Sequence, residues 1–426
     1  MRTLIFMPNH NGMGHITRAI ALAQVLTQRG WRCVFDVSGP NAWLVKDSGF
    51  LIHPSVTQSM RDMRPRFQQG LPPFVLCQRP EIMGTIVTNR LIKEVQFTMR
   101  TINQIRPAAI IGDMEPRARL AGLATGTPLV SIVQQQWYPG HRERWRIWWY
   151  KVPPPFDEQE EEVAAYNAAA SELGVPGIEY FSQQWEGDLL LCPSIPSIDR
   201  LELDARYPVE YVGALLHEEH KTPDPEVEAW LDKITRPIVY MTTGGTYHDT
   251  RVIALALSTV KKQGFAVLLA TGRQAGNFPR SMETLITVDY LNWRFARRCS
   301  IAFHHGGHSS TIAALYSGQP SVIVPYQYEQ EGQARRLEAT RTGVLVPLNP
   351  GQYKAFSFTV GSTPFFGLGH DAVRLAPETI ESAFCRAKSC EYMNEASRLS
   401  NELRKAGGAQ RGADFIEQLV GGPRWC

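Results

Sequence analysis

The chain has 426 residues, 43% of them hydrophobic, and 44 Lys and Arg stand against 41 Asp and Glu for a formal charge of +3. That balance excludes a protein that wraps nucleic acid or another polyanion, and the length suits two or three domains with buried cores. No run of about 18 apolar residues offers a membrane span, and the seven cysteines are scattered, odd in number and without the paired spacing of a zinc site. Reduced thiols in the cytoplasm are the expectation.

The opening residues, MRTLIFMPNHNG, read as a strand entering a turn and not as a signal peptide. Short apolar runs at 4–7, 33–37, 108–112, 129–133 and 189–192 read as buried strands. Helical periodicity fills 16–28, closed by Gly30, and 82–104. That alternation argues for a parallel sheet covered by helices. From residue 215 the stretch LLHEEHKTPDPEVEAWLDKITRP turns polar and proline-rich, as an interdomain connector does. The pattern then restarts, with strands expected at 238–241, 266–270, 285–288, 300–303 and 321–324. The expected organisation is an α/β domain over 1–212, a linker over 213–236 and a second α/β domain over 237–400. A helical tail over 401–426 follows, with a return to the first domain as one option.

Two glycine constellations stand where predicted strands end. In the first, NHNGMGHITR, the strand runs into a loop holding Gly12, Gly14 and His15, and a helix begins at once. At the carboxyl end of a strand in a doubly wound sheet, such a loop faces the ligand crevice. Thr17 occupies the third glycine position of a dinucleotide fingerprint, so no nicotinamide site is read here. Histidine's ordinary pKa of about 6.5 lets it take a proton near neutrality, so His15 reads either as a general base or as a residue capping its own helix. Asp113 ends the apolar run AAIIGD, where a carboxylate can fix an imidazole's tautomer or serve as a plain turn residue. Glu115, two residues on, is the substitute.

In the second constellation, IAFHHGGHSSTIAALYSGQPSVIVP, an apolar run ends in His304, His305, Gly306 and Gly307. His308, Ser309, Ser310 and Thr311 then lead into a helix. A helix N-terminus offers unpaired N–H groups and partial positive charge, so the segment suits a diphosphate. Ordinary capping by Ser and Thr is the competing reading. A third feature is WYPGHRERWRIWWYK, residues 137–151, which gathers four of the ten tryptophans. Trp145, Trp148 and Trp149 share a helical face with Arg142, Arg144 and Arg146 nearby. Docking on the domain core, an apolar acceptor pocket and a contact with a membrane interface all fit that composition.

In order along the chain, GMGHITRAIALAQVLTQRG, IIGD, VGALL, YMTTGGT and HHGGHSSTIAALYSGQPSVIVPYQYEQ resemble the GT-B glycosyltransferases of the UDP-glycosyltransferase superfamily. That superfamily includes bacterial natural-product glycosyltransferases and the lipid-II-forming GlcNAc transferase. The resemblance implies an α/β fold of two Rossmann-like, doubly wound parallel-sheet domains facing a central cleft. It implies an inverting, metal-independent transfer of a sugar from a UDP or dTDP sugar to a hydroxyl of a small natural product or lipid-like acceptor, without a bound cofactor.

Carried onto this sequence, the resemblance makes His15 the general base and Asp113 its orienting carboxylate. The donor would be held by His305, Gly307, His308, Ser309 and Ser310 at the diphosphate, by Thr243, Gly244 and Gly245 along the interdomain side, by Tyr290 and Leu291 near the base, and by Glu329 and Gln330 at the sugar hydroxyls. Gly14, Trp137 and Trp145 would touch the acceptor. The sequence departs from the family pattern at Ala313, where many members carry a glutamate for the ribose, and at Glu329, where Asp is usual. Residues 349–375 read as an insertion on the surface. A nucleotide-sugar hydrolase shares the GxGH loop followed by an arginine, here Arg18, and a sugar-nucleotide epimerase shares the fold; both stand as alternatives.

Overall fold

A computed structural model describes residues 2–9, 12–39, 41–53, 76–78, 80–140, 158–217, 224–242, 250–272, 278–290, 293–325, 328–347, 354–360, 363–369 and 375–421. In its first half, strands β1 (Thr3–Pro8), β2 (Arg32–Phe35), β3 (Leu51–Ile52), β4 (Leu76–Gln78), β5 (Ala109–Asp113), β6 (Leu129–Ile132), β7 (Leu189–Cys192) and β8 (Val209–Tyr211) alternate with helices. These are α1 (Met13–Gln28), α2 (Trp43–Asp47), α3 (Pro80–Ile105), α4 (Pro116–Thr125) and α5 (Glu158–Glu172). All of these strands but β4 form a parallel sheet in the order β3-β2-β1-β5-β6-β7-β8. The order reverses between β1 and β5, the crevice where doubly wound sheets take ligands. Every residue of β1 is buried, as a central strand covered on both faces requires.

Helix α6 (Pro225–Lys233) lies in the connector, capped by the Asp224 carboxylate, which accepts from the Glu226 N–H. The second half then runs β9 (Ile238–Thr242), α7 (Thr250–Lys262), β10 (Ala266–Ala270), β11 (Ser281–Met282), β12 (Leu285–Val288), α8 (Trp293–Ala296), β13 (Ile301–His304), α9 (His308–Tyr316), β14 (Ser321–Ile323), α10 (Tyr328–Ala339) and β15 (Gly343–Leu345). Its sheet has the order β11-β12-β10-β9-β13-β14-β15, parallel except for β11, with its reversal between β9 and β13. Two doubly wound sheets thus face each other, as the resemblance implied.

The halves share more than the connector. After α11 (Pro377–Ala387) and α12 (Cys390–Lys405), the last helix, α13 (Gly408–Gly421), packs on α1 of the first half. Ala413 and Ile416 join the core around Leu22, Arg29 pairs with Asp414 and Glu417, and the Trp31 indole donates to Glu417 at 2.8 Å. A second apolar cluster mixes Ile195, Ile198 and Ala214 with Ile312, Leu315, Leu399 and Leu403. The surface excursion expected over 349–375 contains a hairpin. Strand β16 (Lys354–Val360) pairs antiparallel with β17 (Thr363–Gly369), and β17 pairs antiparallel with β4 of the first half. Among the described residues no helix is long and apolar enough to cross a membrane.

Candidate active site

The loop after β1 turns directly into α1, so His15 and Arg18 lie three apart on one face of that helix, above the carboxyl end of β5. There the His15 Nδ1 meets Asp113 Oδ1 at 2.8 Å. Arg18 grips the same carboxylate with both arms of its fork, Nε to Oδ2 and one Nη to Oδ1, each at 2.9 Å. Asp113 is 1% exposed. Burial alone would raise its pKa, but the Arg18 charge, followed by His15, outweighs burial and holds the carboxyl down at about 2. The carboxylate is thus a permanent anion at working pH, able to orient and stabilise a protonated imidazole without taking its proton. Glu115, the expected substitute, is committed elsewhere: it caps α4 and pairs with the buried Arg117 at 2.9 Å.

Across the cleft, β13 ends in His304 and the chain turns through Gly306 and Gly307 into α9. Burial pushes the His304 pKa down to about 3, with His305 adding to the fall. The neutral His304 ring then accepts the Gly306 N–H at Nδ1 and meets Ser321 Oγ at Nε2, each at 3.0 Å, which shapes the turn. Gly306 has φ +89°, and a Cβ there would stand 2.6 Å from the Gln330 carbonyl oxygen and 3.0 Å from Ile323 Cγ2. Gly306→Ala is expected to lower stability by about 1–3 kcal/mol, from strain at a left-handed position closed in by backbone. Denaturant unfolding of the variant measures it, and an unchanged midpoint would show that the turn relaxes.

Helix α9 has Gly307 at its N-cap and no capping hydrogen bond from a side chain, so its first N–H groups are left to face the cleft. Ser309 is not spent on capping; its hydroxyl donates across the cleft to the Gly14 carbonyl at 3.3 Å. A Cβ on Gly14 would meet Ser309 Oγ at 2.6 Å, so this glycine admits the close approach of the two halves. One cavity of about 370 Å³ is lined by Gly14, His15, Tyr290, His305, Gly307, His308, Ser309, Ser310, Glu329 and Gln330. Tyr290 packs edge-on against Trp43 of the first half, with centroids 6.3 Å apart. Ala313 and Trp293 line the same cavity.

Behind this cavity the interface is polar and buried. His308 accepts from Arg18 at Nδ1, at 3.1 Å, and its Nε2 faces Asp199 at 3.6 Å. Arg336 stands 3.4 Å from Asp199 and donates to Gln136 at 3.0 Å. Burial opposes the Asp199 charge, but Arg336, with His308, overcomes it and holds the carboxyl below the ordinary range; burial pushes His308 down. Gln134, just past β6, donates to Glu329 at 2.7 Å.

No family model matches the sequence. Over 430 residues, 98% of this chain and 97% of the relative, it is 20% identical to NDP-glycosyltransferase YjiC of Bacillus subtilis (strain 168). The calicheamicin glycosyltransferase CalG4 superposes with a TM-score of 0.69 at 17% identity, covering 100% of this chain and 99% of that one. The spinosyn rhamnosyltransferase SpnG, solved with thymidine diphosphate, gives 0.65 at 14% identity over 98% of this chain and 100% of its own. The chain has the GT-B fold and is similar over its length to an NDP-glycosyltransferase.

Within this GT-B frame, some expected residues fall elsewhere. Trp137 is 5% exposed and packs against Phe181 and Trp185. That places its ring in the aromatic core of the first half. Thr243, Gly244, Gly245, Leu291 and Trp145, with Trp148, Trp149, Arg142, Arg144 and Arg146, lie outside the described residues. His308 lines the cavity, yet its imidazole is 3% exposed and tied to Arg18 and Asp199. Sequence reasoning missed the work of Arg18, Gln134, Asp199 and Arg336. Only Arg18 left a trace, three residues after His15 on a helix.

Proposed function

We propose that this chain is an inverting, metal-independent glycosyltransferase that moves a sugar from a UDP or dTDP sugar to a hydroxyl of a small natural product or lipid-like acceptor. The observation that carries the reading is the single cavity shared by His15, backed by the buried Asp113, of one half and the α9 N-terminus with His305 of the other. Displacing a nucleoside diphosphate needs an activated hydroxyl and a partner for the departing charge. His15, backed by an ionised Asp113, supplies the first. The unpaired N–H groups at the start of α9 and the hydroxyls of Ser309 and Ser310 suit the second. Glu329 and Gln330 flank the same space as hydrogen-bonding partners for sugar hydroxyls. In-line attack from the His15 side on a donor held at α9 inverts the anomeric carbon. The relatives support this reading, since YjiC is named for NDP-sugar transfer and SpnG was solved with thymidine diphosphate.

The test is a melting-temperature series with UDP, dTDP, GDP and ADP on the wild type and on His305→Ala. A ligand that binds only the folded state raises stability by RT ln(1 + [L]/Kd). A pyrimidine diphosphate is expected to give the largest rise, and the variant is expected to lose most of it. A rise unchanged by the substitution would remove His305 from the diphosphate site. Product analysis with and without alcohols then separates transfer from hydrolysis, the second reading that Arg18 beside the GxGH loop keeps open.

A further inference from the structure

We propose that Arg18 and His308 form a clasp between the two halves, through which the seating of α9 sets the aim of the His15–Asp113 pair. The proposal rests on the reading of His15 as the base and of α9 as the diphosphate site.

Arg18 is 4% exposed, and its donors point in two directions. Nε and one Nη hold both oxygens of Asp113, while the other Nη reaches the Nδ1 of His308 in the opposite half at 3.1 Å. A guanidinium is protonated at all working pH values and only donates. The His308 Nδ1 must therefore be an acceptor, which places the ring proton on Nε2, the nitrogen that faces Asp199. His308 is the first residue of α9, in the turn whose N–H groups face the cavity. An unbroken chain of contacts thus runs from the α9 N-terminus through His308, Arg18 and Asp113 to His15.

The guanidinium is planar and rigid. If α9 moves, the Nη that follows His308 tilts the whole fork, and the two bonds to Asp113 cannot both survive the tilt. Asp113 in turn fixes the His15 ring. The base is aligned only while the donor-side helix is docked, so loss of the clasp misplaces the base while the α9 N–H groups and the hydroxyls of Ser309 and Ser310 stay in the donor pocket. Arg18 and His308 are positioning residues in this scheme. A misplacement of about 1 Å is worth roughly a hundredfold in rate.

The test compares the full-length wild type with Arg18→Lys, His308→Ala, His308→Asn, the Arg18→Lys/His308→Ala double variant and, in parallel, His15→Ala. Folding is checked by circular dichroism and melting, and nucleotide binding by titration with UDP and dTDP. Arg18→Lys and His308→Ala are each expected to lower kcat by about ten- to a hundredfold, with the nucleotide Kd within about threefold of wild type. The double variant is expected to be no slower than the worse single one by more than about threefold, because both substitutions break one link. His308→Asn keeps an acceptor oxygen near the lost Nδ1 and is expected to recover most of kcat.

Losses that multiply in the double variant, or an asparagine no better than alanine, overturn the clasp. So does His308→Ala with a wild-type kcat and a weakened Kd. If Arg18→Lys does not fold, the contrast between His308→Ala and His308→Asn decides alone. A His15→Ala protein with wild-type kcat sinks the base reading and the clasp together. An inactive His15→Ala beside multiplying losses sinks the clasp only.

Discussion

Replacing His15 with Ala is expected to lower kcat by about two to four orders of magnitude, the range for losing a positioned general base, while leaving nucleotide binding intact. The expectation follows from which ring nitrogen is engaged. Nδ1 faces Asp113 Oδ1 at 2.8 Å and one Nη of Arg18 at the same distance. Arg18 only donates, so an Nδ1–H and this Nη cannot bond each other; the Nη is spent on Asp113 Oδ1 at 2.9 Å, and with Nδ1–H donating to the same buried anion the carboxylate lies between two donors. That leaves Nε2 with its lone pair, on a side chain that is 18% exposed and lines the cavity. An acceptor hydroxyl entering from the first half would give its proton there, and the Asp113 charge would stabilise the imidazolium. Steady-state rates with a saturating donor, beside titration with the diphosphate, measure the two quantities apart. An equal loss of nucleotide affinity would move His15 to the donor site, and an unchanged kcat would leave the hydroxyl without a base in this cleft.

Much of the frame was legible because it is written locally. The run at 4–7 lies within β1 and that at 129–133 covers β6, since a strand buried on both faces must be apolar throughout. The glycine loops were legible for a related reason: a strand that ends in glycines before a helix has few other ways to turn. Edge strands β3 and β8 escaped, being too short to show a period. The β16–β17 hairpin was passed over although Gly361-Ser362, a two-residue hairpin signal, separates its two runs, and its outer partner, β4, lies almost 300 residues earlier. The polar seam was illegible in principle. Arg18 and His308 are 290 residues apart, and neither residue's neighbours announce the other. Asp199 lies in the loop after β7 and Arg336 on α10, and only the apposition of the halves turns them into a buried pair. Glu115 and Trp137 show the converse: a residue type suited to chemistry was taken first by a helix cap or by the core.

Removing the Asp113 carboxylate is expected to damage both the fold and the reaction, and pH separates the two. In Asp113→Ala the Arg18 guanidinium stays buried without its counter-charge, and breaking a buried pair in this way costs about 3–5 kcal/mol. Asp113→Asn keeps the shape and loses the charge; kcat is expected to fall by about 10²–10⁴, since an amide can neither stabilise the imidazolium nor hold the productive tautomer. The electrostatic share has a sign that can be checked. The folded carboxyl titrates at about 2, below the roughly 3.9 of an unfolded aspartate, so the ionised group favours the folded state wherever pH lies above the unfolded value. That share is about 2 kcal/mol. It is fully present at pH 7, shrinks as pH falls from about 4 toward 2, and is gone once both states are protonated. Denaturant unfolding of wild type and Asp113→Asn should therefore show a gap that is constant from pH 7 down to about 5 and narrows below 4. A gap that stays constant down to the lowest pH at which both proteins fold would mean that Asp113 stabilises by packing alone. In that case its charge would be unavailable to an imidazolium at His15, and the orienting role would fall with it.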